Sequence, residues 1–182
     1  MQKDFDKWNK RKKNNNYAFI DAQNVHLGIL EFGWKIDWKK FRIWLCNKFD
    51  VEKALMFIGY QKGNEGLYSS LQHAGFVCIF KPTLEYKNGT VKGNCDAELV
   101  LHSAAIEFKN YDKAVIVSGD GDFACLIEFL QQKNKLKMLV VPNENKYSAL
   151  LKKFNTSEKK FILFLNREKS KIEYRPLNEK GA

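Results

Sequence analysis

The chain has 182 residues, 31 of them basic and 21 acidic, for a formal net charge of +10, and 45% of its residues are hydrophobic. That length suits one α/β domain with modest extensions, long enough to bury roughly two-thirds of its unfolded surface without a disulfide scaffold. Cys46, Cys78, Cys95 and Cys125 form no C-x-x-C pair, no run nears the ~20 apolar residues of a membrane span, and no signal-peptide core stands at the N-terminus, so a reduced, cytoplasmic protein with no membrane role is expected.

Residues 1–16, including Arg11, Lys12 and Lys13, repeat with neither helix nor strand period and read as a basic N-terminal arm. The apolar strand 17–21 follows and leads through a loop to a helix over 37–49, with Asp37 as N-cap. A buried strand 54–60, a helix 64–73 ended by Gly75, and a strand 76–80 closed by Pro82 set up a βαβα alternation. Asn88-Gly89 is a hairpin signal, so 84–86 and 90–92 are expected to pair as a small flap delivering Lys92 and Asp96. Helix 95–108, strand 113–118, helix 122–133 and strand 136–141 continue the alternation. A short helix near 146–154, the apolar stretch 161–165 and a charged tail complete the chain. Alternation of this kind implies a central, mostly parallel sheet covered on both faces, a three-layer α/β/α domain. The four cysteines fall in apolar stretches and are expected to be interior.

Charge is uneven along the chain. Residues 1–16 carry six basic and two acidic side chains and residues 152–182 carry nine and four, while the body between is nearly neutral. Basic arms around a body with an acidic pocket suit a nucleic-acid backbone, the arms holding phosphates while metal shields the pocket. The alternative is that these lysines serve solubility alone.

The chemistry concentrates where strands end. Strand 113–118 runs into Ser118-Gly119-Asp120-Gly121-Asp122, two carboxylates one residue apart, and strand 17–21 ends in Asp21 with Asn24 close behind. In open α/β sheets the carboxyl edge is where ligands bind. Asp96, at the start of a helix, is positioned to reach the same rim. Carboxylates 4 Å apart repel by roughly 1 to 4 kcal/mol per pair, depending on the effective dielectric. A divalent cation removes that cost, and ligation by oxygen alone favours Mg²⁺ or Mn²⁺ over zinc. Helix capping, worth about 0.3 to 1 kcal/mol, is the ordinary reading of one isolated acid such as Asp96 and is the alternative for Asp120 and Asp122, and Asp21 alone would be a loop acid, but two acids at one strand end favour metal. The string 119–124 also matches G-x-G-x-x-A formally, yet its aspartates would repel a pyrophosphate and its strand comes late. His26, His73 and His102 share no ligand spacing, and Glu98 is expected to be solvated or paired with His102. Trp34, Trp38, Trp44 and Phe129 fit a core, which leaves Tyr86 and Tyr147 as the aromatics expected near a substrate.

Three ordered segments, Phe19-Ile20-Asp21-Ala22-Gln23-Asn24, Lys92-Gly93-Asn94-Cys95-Asp96-Ala97-Glu98-Leu99 and Val117-Ser118-Gly119-Asp120-Gly121-Asp122-Phe123, together resemble the NYN domain family. That family includes LabA-like proteins and belongs to the PIN-like nuclease superfamily; the resemblance covers about residues 17–151, leaving 152–182 as a basic extension. It implies a PIN-like fold and a metal-dependent ribonuclease site in which Asp21 and Asp120 hold the main Mg²⁺ or Mn²⁺. Asp96 and Asp122 would complete the site, Ser118 and Asn24 would orient carboxylates or water, and water would be the nucleophile. The helix after Asp96 carries His102 where relatives often have a further acid, so the resemblance does not extend to a second tightly held metal.

The expectation is a Mg²⁺/Mn²⁺-dependent endoribonuclease whose partner is RNA, with Lys92, Tyr86, Arg11, Lys12 and Lys13 contacting substrate, and with self-association of the kind common among PIN-like proteins. Two rivals stand beside it: an RNA-binding module of the same fold without turnover, and a phosphatase. The phosphatase is disfavoured because its D-x-D normally follows the first strand, where this chain has one acid.

Overall fold

The computed structural model describes residues 14–82, 84–85, 91–92, 95–156 and 160–176. Strands β1 (Asn16–Asp21), β2 (Val51–Tyr60), β3 (Phe76–Pro82), β6 (Ala114–Val117), β7 (Leu136–Val141) and β8 (Ile162–Phe164) form one sheet in the order β3-β2-β1-β6-β7-β8. Every adjacent pair is parallel. The helices are α1 (Ala22–Leu30), α2 (Trp38–Phe49), α3 (Glu65–His73), α4 (Asp96–Leu101), α5 (Ala124–Gln132) and α6 (Lys169–Ile172). Strands β4 (Leu84–Glu85) and β5 (Val91–Lys92) pair antiparallel as a separate hairpin.

The sheet is covered on both faces, as the side-chain alternation of its strands requires. In β1, Ala18 and Ile20 join Val115, Val117, Ala54 and Met56 in a core that also holds residues of α1 and α2. Phe19 joins Ile116, Leu55 and Phe57 in a second core under α4 and α5. All four residues of β6 are fully buried, as befits a central parallel strand. Asp37 caps α2 as expected, its side chain accepting the amide of Lys40 at 3.0 Å.

Several elements differ from the sequence expectation. The presumed loop after β1 begins with α1, for which Asp21 is the N-cap. The helix expected over 95–108 is α-helical only to Leu101 and continues as a π-helical turn over His102–Ile106. Within it Ser103 turns its hydroxyl back to Leu99 O at 2.8 Å, and Ser103 O accepts the Tyr111 hydroxyl at 2.6 Å. Helix α5 is entered through a 3-10 turn, Gly121–Phe123, and the segment near 146–154 is 3-10 over Ala149–Phe154. The apolar stretch 161–165 supplies β8, while Leu165 and Ile172 are buried in the first core.

The cysteines are all free but none is fully interior, and Cys125 is exposed because it falls on the outer side of α5 between the buried Phe123 and Leu126. Trp34 and Trp44 are buried, and Trp38 packs against the same core.

Candidate metal and nucleic-acid site

The chain moves outward from β1 through β2 to β3, then returns to β6 beside β1 and proceeds the other way to β8. The direction reverses between β1 and β6, the place in an open parallel sheet where a crevice opens beyond the carboxyl ends of the strands. Asp21 ends β1 and Ser118 follows β6 at this point. In β1, Asp21 continues the alternation of Phe19, and after β6 Ser118 continues that of Ile116, the registered partner of Phe19. Both therefore face the layer that carries α4 and Asp96.

The hydrogen bonds between these two strand ends fix the site. Ser118 Oγ donates to Asp21 Oδ2 at 3.2 Å and accepts the amide of Asp120 at 3.1 Å. Asn24 Oδ1 accepts the amide of Gly119 at 2.8 Å, while the Asn24 amide donates to Asp21 Oδ1 at 3.0 Å. Asp120 Oδ1 in turn accepts the amide of Asp122 at 3.0 Å, starting the 3-10 turn. Gly121 has no room for a side chain, since a Cβ there would run into Ser148 Oγ and lie 2.8 Å from Ser148 Cβ.

Asp96, Asp120 and Asp122 offer carboxylate oxygens within 4.8 Å of one another. Asp21 adjoins this trio: burial above all, then the negative charges of Asp96 and Asp120, raises its pKa to about 6 against the hydrogen bonds from Asn24 and Ser118. Burial likewise pushes the Cys95 thiol up to about 11, with the nearby Glu98 and Asp21 adding to it, so this cysteine at the cleft wall is a thiol at neutral pH. The cleft has a volume of about 500 Å³.

Of the sequence-predicted residues, Asp21, Asp96, Asp120, Asp122, Asn24 and Ser118 are brought to one place. Arg11, Lys12, Lys13 and Tyr86 lie outside the described residues, as does the side chain of Lys92. Glu98 pairs with Lys81 at 3.1 Å rather than with His102, because α4 sets it toward the end of β3. The His102 ring instead packs edge-on to Phe57, with centroids 5.5 Å apart. Tyr147 sits against the site's loop, its Cβ 3.3 Å from where a Cβ on Gly119 would stand.

Sequence reasoning missed Gln23, Glu31, Asn143 and Lys146, which also line the cleft. Lys146 pairs with Glu31 at 3.0 Å, and Asn143 Nδ2 donates to Glu31 Oε2 at 2.8 Å. The available signal was position: Asn143 and Lys146 follow the carboxyl end of β7, next in the sheet to β6.

A parallel α/β sheet with an aspartate cluster at its switch point defines the class of protein. The chain belongs to the NYN domain family, which matches residues 17–165 and brings with it the PIN-like nuclease fold. It is 28% identical over 125 residues to the low amplitude and bright protein LabA of Synechococcus elongatus, covering 63% of this chain and 67% of that one. A crystal structure of a protein of unknown function from Vibrio parahaemolyticus superposes with a TM-score of 0.64 at 22% identity, covering 86% of this chain and 96% of the other, which shows a shared fold. Among the described residues no helix is long and apolar enough to cross a membrane.

Proposed function

We propose that this NYN domain is a Mg²⁺- or Mn²⁺-dependent ribonuclease, endonucleolytic in action. NYN domains are generally nucleases acting on nucleic acid. The observation that carries the reading is the convergence of Asp96, Asp120 and Asp122 within 4.8 Å at the switch point, with Asp21 tied in through Ser118.

The donor set fits a hard divalent cation. It is made of carboxylate oxygens alone, with no imidazole or thiolate in the trio, and the group's mutual repulsion is relieved by positive charge. Such a cation, when bound, supplies Lewis acidity and charge neutralisation for attack of water on a phosphodiester. Asp21, Asp96, Asp120 and Asp122 would hold it. Ser118 and Asn24 are positioning residues, since each binds both strand ends and keeps the Asp21 and Asp120 carboxyls aimed at the cleft. Lys146 offers a cation to a phosphate on the wall formed by α1 and the loop after β7. The basic segments at the two ends, with Arg11, Lys12 and Lys13 in the first, add affinity for the RNA backbone that does not depend on sequence. Lys92 and Tyr86 would also contact the substrate.

The test is cleavage of a labelled RNA pool by the parent and by Asp120→Asn, with Mg²⁺, Mn²⁺ or EDTA. Cleavage that requires both the cation and Asp120 upholds the reading. Salt-sensitive binding with no cleavage in Mn²⁺ would show an RNA-binding module instead, and rapid hydrolysis of a phosphomonoester with RNA untouched would show a phosphatase.

A further inference from the structure

A second cavity, of about 360 Å³, lies on the other side of α1 from the acidic cleft, bounded by β2, α3 and the start of α2. Helix geometry explains the division. Ala22, Gln23 and His26 border this cavity, whereas Asn24, Gly28 and Glu31 border the cleft. Gln23 and Leu27, one turn apart, line both and form the ridge between them. Gly59, near the end of β2, also lines both.

The chemistry of the two is opposite. Trp38, Met56, Ile58, Tyr68 and Leu71 give the second cavity apolar walls, and among the described residues no carboxylate, lysine or arginine lines it. A phosphate would find no cation there and a metal ion no anionic ligand. The polar groups are neutral amides and one imidazole: Gln23, Gln61, Asn64 and His26. Gln61 Oε1 accepts from Asn64 Nδ2 at 3.2 Å, and the Tyr68 hydroxyl is held by the amide and carbonyl of Gln61, so the amide end and the aromatic wall are set together. Trp38 is braced edge-on by Phe41 and Phe76, with ring centroids 6.0 and 6.3 Å away. At the rim, Leu27 is 51% exposed and Leu67 46%, an apolar entrance without a partner among the described residues. Apolar walls with a few convergent donors and acceptors suit an uncharged planar heterocycle.

We propose that this cavity is a nucleobase pocket, taking one base of the strand whose phosphate lies in the acidic cleft. The proposal rests on the nuclease reading for its occupant, and the adjacency of the two cavities, which share Gln23, Leu27 and Gly59 as a common border, supplies the link. A base next to the scissile phosphate crosses the ridge, stacks on the apolar wall, and presents its edge to the amides.

The experiment has two arms. In the first, kcat/KM in Mn²⁺ is measured for RNA oligonucleotides carrying a single abasic position, scanned across the cleavage site, with the parent and with Leu67→Trp, which fills the entrance from an exposed position. One abasic position should lower kcat/KM by about tenfold in the parent, the scale of one stacked base, and by much less in the variant. In the second, adenosine, guanosine, cytidine and uridine are titrated in EDTA by calorimetry into the parent, Leu67→Trp and Gln61→Ala, the last in case the tryptophan variant does not fold. Binding by the parent that weakens in a variant upholds the pocket even if no RNA is cleaved, an outcome that would sink the nuclease reading alone. Cleavage without positional dependence, or a positional loss that persists unchanged in the filled variant, overturns the pocket and leaves the nuclease reading standing. Where no RNA is cleaved, nucleoside binding that is absent, or equal in all three proteins, overturns it as well.

Discussion

Ser118 links the two halves of the sheet through one oxygen: its Oγ donates to Asp21 at 3.2 Å and accepts the amide of Asp120 at 3.1 Å. Ser118 is fully buried, and removing its hydroxyl takes a donor from the Asp21 carboxylate and an acceptor from the Asp120 amide. Ser118→Ala should therefore cost about 1–3 kcal/mol of stability, seen as a lower midpoint in urea. Cleavage should fall by about 10–100-fold, the range for partners that orient metal ligands. Equal stability and equal cleavage in the variant would mean that the serine has no positioning role.

The raised pKa of Asp21 sets a pH dependence whose sign differs from that of a typical paired carboxylate. Its pKa is about 6 in the folded chain against 3.8 in the ordinary state, so folding favours the protonated form. Its contribution to stability is complete below about pH 4 and is lost as the pH rises through about 6. Asp21→Asn keeps an oxygen for the Asn24 amide and removes the charge. In EDTA the variant should melt higher than the parent at pH 7.5, with the gap closing toward pH 4.

A divalent cation should reverse that order. Binding to the folded state alone stabilises by RT ln(1 + [L]/Kd), about 2.7 kcal/mol at a hundredfold excess over Kd. Mn²⁺ at pH 7.5 should raise the melting temperature of the parent and leave Asp96→Asn/Asp120→Asn nearly unmoved. A shift of equal size in both would place the cation elsewhere on the chain.

Gly121 is a packing requirement of the acidic loop. A methyl group there would run into Ser148 Oγ and stand 2.8 Å from Ser148 Cβ, so either the loop or the segment after β7 must move. Gly121→Ala should destabilise by about 1–3 kcal/mol and weaken Mn²⁺ binding, because the glycine stands between Asp120 and Asp122. Ser148→Gly in the same chain should restore part of both, a coupling that a double-mutant cycle reads directly.

These residues show why some of the site was legible in the sequence and some was not. Asp120 and Asp122 stand out because an unbroken apolar run, Ala114–Val117, can only be a buried strand and the acids follow it at once. Helix α1 is hard to see in the sequence because asparagine, valine, histidine and glycine in Ala22–Leu30 are weak helix formers, and because Asp21, its N-cap, is also the acid that ends a strand. Its stability comes instead from packing: Val25 and Ile29 are buried, and a Cβ on Gly28 would stand 2.9 Å from Pro142 Cβ. That approach, made between residues far apart in sequence, also builds the cleft wall with Lys146. The π-helical turn after α4 has no periodic signature either, and the bond from the Tyr111 hydroxyl to Ser103 O within it joins residues that no helical or strand spacing pairs.

Lys146 tests whether the wall opposite the acids meets substrate. Its ammonium lines the cleft and is held by Glu31 at 3.0 Å, an exposed pair that contributes little to folding. If the amine neutralises an RNA phosphate, Lys146→Ala should leave the melting temperature nearly unchanged. It should weaken binding of unrelated RNA sequences alike and lower the slope of log K against log salt by about one contact's share, near 0.7 for a single strand. Glu31→Gln removes the competing carboxylate while keeping an oxygen for Asn143, and should move affinity the other way. An unchanged salt slope in Lys146→Ala would mean that the phosphate path does not run along this wall of the cleft.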